Sequence, residues 1–165
     1  SLFTECLGMG GNLLLDIGPK ADGSIPSEQV AILQEFGRWT NKHATAIYGT
    51  IAGLPYGHFH GNSTLSKDSM VLNLFIPSPQ GSISDQSKLM IPIYIKGLKS
   101  KPSSIRLIGS TVPIDYTEVG KISWSSVPGT LFLEIPISEM DPMISVLQLT
   151  FNEPIQLYRG KGGFH

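Results

Sequence analysis

The run Leu13-Leu14-Leu15-Asp16-Ile17, entered through Gly10-Gly11-Asn12 and ended by Gly18-Pro19, constrains this chain more than any other feature. Its near-continuous apolar character predicts a buried strand over about 12–17, of the kind found in parallel sheets covered on both faces. Gly18-Pro19 and Asp22-Gly23 then stop the strand and turn the chain. A helix is expected over about 27–43, because Val30, Leu33 and Phe36 recur at helical spacing, with Ile32 and Trp39 widening the stripe. Ser27 reads as its N-cap and Glu28 suits its first turn. Lys42 and His43 suit its last turn as cations, and Glu35 can pair with Arg38 on the exposed face. Leu2 to Leu7 reads as a helix end, with Gly8 as breaker. A parallel strand needs neighbours on both sides, and one β-turn-α unit is not a fold. Residues 1–52 are therefore expected to be the tail of a larger sheet-and-helix domain.

The rest of the chain reads differently. Short apolar runs recur at Met70–Ile76, Leu89–Ile95, Ser104–Ile108, Leu131–Ile135, Val146–Phe151 and Ile155–Tyr158, with weaker ones at Pro113–Tyr116 and Lys121–Trp124. Turn clusters at Pro77–Gly81, Lys99–Ser103 and Val127–Gly129 separate them. Ile91, Ile93 and Ile95 alternate with Pro92, Tyr94 and Lys96, which is the period of a half-buried strand. Short strands without helices predict an antiparallel sandwich over 53–165. Pro92 and Pro136 remove ladder donors, so their strands are expected at an edge or to begin there.

Composition narrows the partners. Charged residues are only 15% of the chain, against about 25% in an ordinary soluble domain. The net charge of -1 gives no case for nucleic acid or an anionic membrane surface. No stretch approaches the ~18–20 apolar residues of a membrane-spanning helix. Cys6 is the single cysteine, so no disulfide can form within the chain, and a small core hydrophobe is its expected role.

The segment from Gly10 to Pro26 resembles the last strand and loop of the catalytic barrel in glycoside hydrolase family 29, the α-L-fucosidases. Trp39, Asn41 and Ala46-Ile47-Tyr48-Gly49-Thr50 resemble the family's exit from the barrel. Gly53-Leu54-Pro55, Ser66-Lys67-Asp68, Lys96-Gly97-Leu98, Ile108-Gly109-Ser110 and Tyr158-Arg159-Gly160 resemble segments of its C-terminal β-domain. Asp16 departs from the pattern, since many members carry Asn there. The resemblance implies an α+β fragment: the last β/α unit of a (β/α)8-like barrel over 1–52, followed by an antiparallel β-sandwich over 53–165. It implies a periplasmic or secreted parent enzyme that releases terminal fucose from glycoconjugates with retention and without a cofactor. Retention needs two carboxyl groups about 5 Å apart. In the family both lie upstream of the matched segment, so the resemblance assigns no catalytic residue here, and the fragment alone is expected to be inactive.

Several residues invite a sharper reading. Asp16, at the C-terminal end of the expected strand, could touch sugar at the barrel mouth. The plainer expectation is that it bonds loop amides of Gly18–Gly23. Asp22-Gly23 reads as turn chemistry. Gly8-Met9-Gly10-Gly11 looks like a phosphate loop but precedes a strand instead of opening a helix. His58-Phe59-His60 lacks a third metal ligand and reads as loop histidines near the domain junction. Tyr48, Tyr56 and Phe59 could reach a sugar by stacking but read better as an apolar seam between the two parts, and Trp124 reads as a core or rim residue. Asn62-Ser63-Thr64 is a glycosylation sequon.

Two readings of the whole chain follow. In one it is part of an α-L-fucosidase, acting on a fucosylated glycan through the barrel, and able to self-associate through apolar surface left open on 1–52. In the other it is a non-catalytic module, either binding carbohydrate or bracing a neighbour. Aromatics are 8% and do not cluster along the strand sequences, which favours bracing.

Overall fold

A computed structural model describes residues 2–79 and 89–160. The Gln80-Gly81 end of the first turn cluster lies outside them. Three helices come first: α1 (Leu2–Gly8), α2 (Ser27–Lys42) and α3 (Ala44–Ile47). Eight strands follow among the described residues: β1 (Thr50–Ala52), β2 (Asn62–Ser66), β3 (Val71–Pro77), β4 (Met90–Ile95), β5 (Ser104–Leu107), β6 (Tyr116–Val119), β7 (Thr130–Pro136) and β8 (Ile144–Thr150). They form a five-stranded sheet of order β1-β2-β3-β8-β5 and a three-stranded sheet of order β4-β7-β6. All pairings within these sheets are antiparallel.

The two sheets pack face to face, as alternation along their strands dictates. Leu72, Leu74 and Ile76 of β3, Leu147 and Leu149 of β8, and Leu107 of β5 point inward. They meet Ile93 and Ile95 of β4 and Leu131, Leu133 and Ile135 of β7. β3 and β8 are buried at nearly every position, so the larger sheet is covered on its outer face as well. The helices supply that cover. Ala46 of α3, with Leu7 and Trp39 packed alongside, sits on Phe75 and Val146. The Trp39 indole N–H donates to the Ile144 carbonyl at 2.7 Å.

The outer face also carries a polar ladder, in register across four strands. The Thr64 hydroxyl donates to the Ala46 carbonyl at 2.8 Å, and the Asn73 amide donates to the Thr64 oxygen at 3.3 Å. The Gln148 amide donates to Asn73 Oδ1 at 2.9 Å, and Arg106 donates twice to Gln148 Oε1, at 3.0 and 2.6 Å. Thr64, Asn73 and Gln148 are buried. Burying such groups is tolerable only because each bonds to the next.

Several expectations need correction. No strand forms over 12–17: residues 11–20 join no ladder, and Leu14, Leu15 and Ile17 are 88%, 53% and 43% exposed. A strand is defined by its neighbours, and the described residues offer this one none. Ser27 is the first helical residue of α2, not its cap. The Pro26 carbonyl accepts the first helical bond from Val30, and no side chain caps the end. The boundary at 52/53 falls inside the sandwich, because β1 pairs with β2 as its edge strand. Ile155–Tyr158 forms a single bridge, Leu98 to Leu157, and Lys121–Trp124 forms no strand. The weak run at Pro113–Tyr116 marks only the start of β6. Pro92 does lie on an edge strand, β4, whereas Pro136 ends the central strand β7. At that end of the strand a missing donor interrupts no further ladder.

Candidate functional site

Three places gather chemically capable side chains. The first is the loop over 16–25. Asp16 is exposed, and its carboxylate takes no hydrogen bond among the described residues, so the expected bond to Gly18–Gly23 amides is not made. The Gly18 N–H instead donates to Gln29 Oε1 of α2 at 3.0 Å, which ties the loop to the helix. Asp22 is the residue that shapes the turn. Its Oδ1 accepts from the Ser24 N–H at 3.0 Å and the Ser24 hydroxyl at 2.7 Å, holding its carboxyl below the usual range. Asp68, between β2 and β3, has the same design. It accepts from the Ser66 hydroxyl at 2.5 Å and the Met70 N–H at 3.1 Å, and its carboxyl is lowered too. A general acid needs its pKa raised, so both carboxylates suit turns and not proton donation to a leaving group.

Gly8-Met9-Gly10-Gly11 also has a structural use. Gly10, at φ +75°, donates to the Leu7 carbonyl at 2.9 Å, and Gly11 donates to the Cys6 carbonyl at 2.8 Å. This is a Schellman cap on α1, and it spends the amides that a phosphate would need.

The second place is the seam between α2 and the sandwich. His43 is fully buried, with its ring 4.8 Å from that of Trp39. Its Nε2 lies 2.9 Å from Asp141 Oδ2, and Lys42 Nζ bonds to the other Asp141 oxygen. Burial pushes the His43 pKa down, outweighing the pull of Asp141. The expectation of a cation at the helix end therefore suits Lys42, whereas burial disfavours the charged form of His43. Its Nδ1 has no partner among the described residues. Sequence reasoning missed this pair because 98 residues separate the two members.

The third place is the loop over 53–61. Tyr48 and Tyr56 do not form an apolar seam, since both stand in solvent. Phe59 alone of that trio packs against the sandwich core. His58 is clamped to β4's end: its Nδ1–H donates to the Lys96 carbonyl at 2.8 Å, and the Lys96 N–H donates to the His58 carbonyl at 2.8 Å. Among the described residues no group of three or more His, Cys, Asp or Glu side chains is placed to hold a metal. Trp124 stands in solvent at 88% exposure, outside the core. Asn62 lies within β2 and donates from Nδ2 to the Thr4 hydroxyl at 3.1 Å, so the sequon is folded into the sheet beneath α1. Among the described residues no helix is long and apolar enough to cross a membrane.

The arrangement is a β-sandwich whose larger sheet carries the chain's own helices on its outer face. The sequence model of the α-L-fucosidase family matches residues 1–45. An α-L-fucosidase of Dictyostelium discoideum is 49% identical over 153 residues, covering 86% of this chain and 30% of that protein. Among solved structures, α-L-fucosidase isoenzyme 1 from Paenibacillus thiaminolyticus is 27% identical with a TM-score of 0.68, covering 91% of this chain and 33% of that one. An α-L-fucosidase from Vibrio sp. strain EJY3 shares the fold at 20% identity, with a TM-score of 0.71 over 94% of this chain and 26% of that one. In sequence the chain is therefore similar to α-L-fucosidases, through the family model at its N-terminal end and through the Dictyostelium relative over most of its length. It spans about a third or less of each of these relatives.

Proposed function

We propose that this chain is the C-terminal part of a retaining exo-α-L-fucosidase, supplying the last strand–loop–helix unit of its barrel and the sandwich that braces it. One observation carries the reading. Leu14, Leu15, Ile17 and Ile32 are exposed on a segment that is otherwise anchored, through Gly18 to Gln29 and through Trp39 to Ile144. An apolar run with an anchored loop and helix but no ladder suits a sheet that continues in the parent barrel. The same open surface would drive self-association of the isolated chain.

In the parent, a terminal fucose would be displaced by one carboxylate and released by water with the help of the second. Neither belongs to this chain. Asp22 and Asp68 are committed to turns, and Asp16 alone of the three is free to meet sugar at the barrel mouth. The test is hydrolysis of an aryl α-L-fucoside by this chain and by a longer protein that includes the barrel, side by side. Turnover confined to the longer protein is expected. Turnover by the 165-residue chain would overturn the reading.

A further inference from the structure

The outer face of the smaller sheet carries an aromatic platform that the strand sequences do not reveal. Tyr94 of β4 and Phe132 of β7 are cross-strand partners, with ring centroids 5.1 Å apart and planes tilted by 37°. Tyr94 remains 51% exposed. Beside it the loop over 53–61 presents Tyr56, at 101% relative exposure, as open to water as in an unfolded chain. Both tyrosines line one shallow pocket of about 440 Å³, together with His58, His60 and Lys96.

The loop that presents Tyr56 is fixed. His58 N–H donates to the Pro55 carbonyl at 3.3 Å, closing a turn with Tyr56 and Gly57 at its corners. Gly57 has φ +93°, as the third residue of a type II turn requires. The two-way bond between His58 and Lys96 pins the turn to the sheet. Because His58 Nδ1–H donates to a carbonyl, Nε2 is the ring nitrogen left for a ligand. The lining thus offers two rings, an ammonium, and imidazole groups able to donate and accept. An exposed aromatic on a hydrogen-bonded turn needs little backbone ordering on binding, which is what a stacking site needs.

We infer that Tyr56 and Tyr94 form a saccharide-stacking site, which takes a pyranose of the non-fucosyl part of a glycan against the rings while Lys96 and His60 bond its hydroxyls. The choice of sugar rests on the fucosidase reading, but the site does not need the barrel. It can therefore fail while hydrolysis by the longer protein succeeds, and the reverse.

The experiment is titration of the 165-residue chain, and of the longer protein, with lactose and with fucosyllactose, followed by NMR shifts of ring and backbone signals. Saturable shifts with both sugars are expected. Tyr56→Ala and Tyr94→Ala should each weaken binding on the order of tenfold. Tyr48→Ala, at another exposed tyrosine, should change nothing. Tyr56→Ala removes no packed contact, so it tests the site without risk to the fold. The inference is overturned by absence of saturation at about 10 mM sugar, ten times a millimolar Kd. It is equally overturned by unchanged affinity in Tyr56→Ala, or by binding that vanishes in the longer protein because the barrel covers the pocket.

Discussion

The sandwich and the helical segment before it satisfy the same physical demands in opposite ways. In the sandwich every long strand finds a ladder, and its inward side chains close a shared core. In the helical segment the sequence is at least as apolar, yet along the 16 residues of α2 only Thr40 is buried. The segment's contacts with the sandwich are specific: the Trp39 indole bond, His43 and Lys42 at Asp141, Ala46 on Phe75 and Thr64, and Thr4 of α1 at Asn62. The difference teaches that apolar sequence marks a surface meant to be covered, whereas burial depends on what is present to cover it.

The strongest way to break that comparison is to remove one leucine from each region. Leu147 is fully buried between the sheets, so Leu147→Ala should cost about 2–5 kcal/mol in urea unfolding. Leu14→Ser should change stability by less than about 0.5 kcal/mol in this chain, because Leu14 already faces water. In a longer protein carrying the barrel, Leu14→Ser should become a core lesion of the first size. Equal losses at both positions in the present chain would show that the segment has already found its core.

The polar ladder comes next. Gln148 joins Asn73 to Arg106, and Gln148→Ala strands both partners, for a cost of roughly 1–3 kcal/mol. The double variant with Asn73→Ala should cost less than the sum of the singles, since the two share one network. Strict additivity would mean that the ladder is a set of independent bonds.

These elements also show what the sequence could carry. β3, β4, β7 and β8 were legible because their apolar runs face a sheet covered on one or both sides, and the helix at α2 because its stripe recurs at 3.6 residues. β2, Asn62–Ser66, was not legible, since its outward residues are Asn and Thr that bond to Thr4, Asn73 and Ala46, partners that only the fold supplies. The Tyr94–Phe132 pair was hidden for the same reason: register sets it, and 38 residues separate its members. The expected strand at 12–17 erred in the other direction. Its pattern describes a sheet that the described residues do not contain.

His43 sharpens the comparison at the seam. Burial lowers its folded pKa below the ordinary 6.5, so the unfolded chain binds a proton more readily than the folded one. The stability this lends is complete above about pH 6.5 and is lost as pH falls from there toward the folded pKa. Urea unfolding between pH 5 and 8, the range where histidine titrates, should therefore show a decline on the acid side that flattens in His43→Gln. Asp141 and Lys42 face the ring and stay in place in that variant. An unchanged acid slope would assign the decline to other groups.

The smallest effect is expected on the open face of α2. Arg38 donates to Glu35 from Nε at 3.1 Å, but their side chains are 69% and 56% exposed. Water and salt screen such a pair, and holding two long side chains together costs entropy, so Glu35→Gln should shift stability by less than about 0.5 kcal/mol. Glu35 also borders the groove of Phe3, Ile32, Phe36 and Trp39 that the helices leave uncovered. If the barrel closes over that groove in the longer protein, the same substitution should cost more there, because desolvation strengthens the pair and raises the penalty for breaking it. An equal, negligible effect in both proteins would mean that this side of α2 stays in water after assembly, and that the covered surface lies instead along Leu14, Leu15 and Ile17.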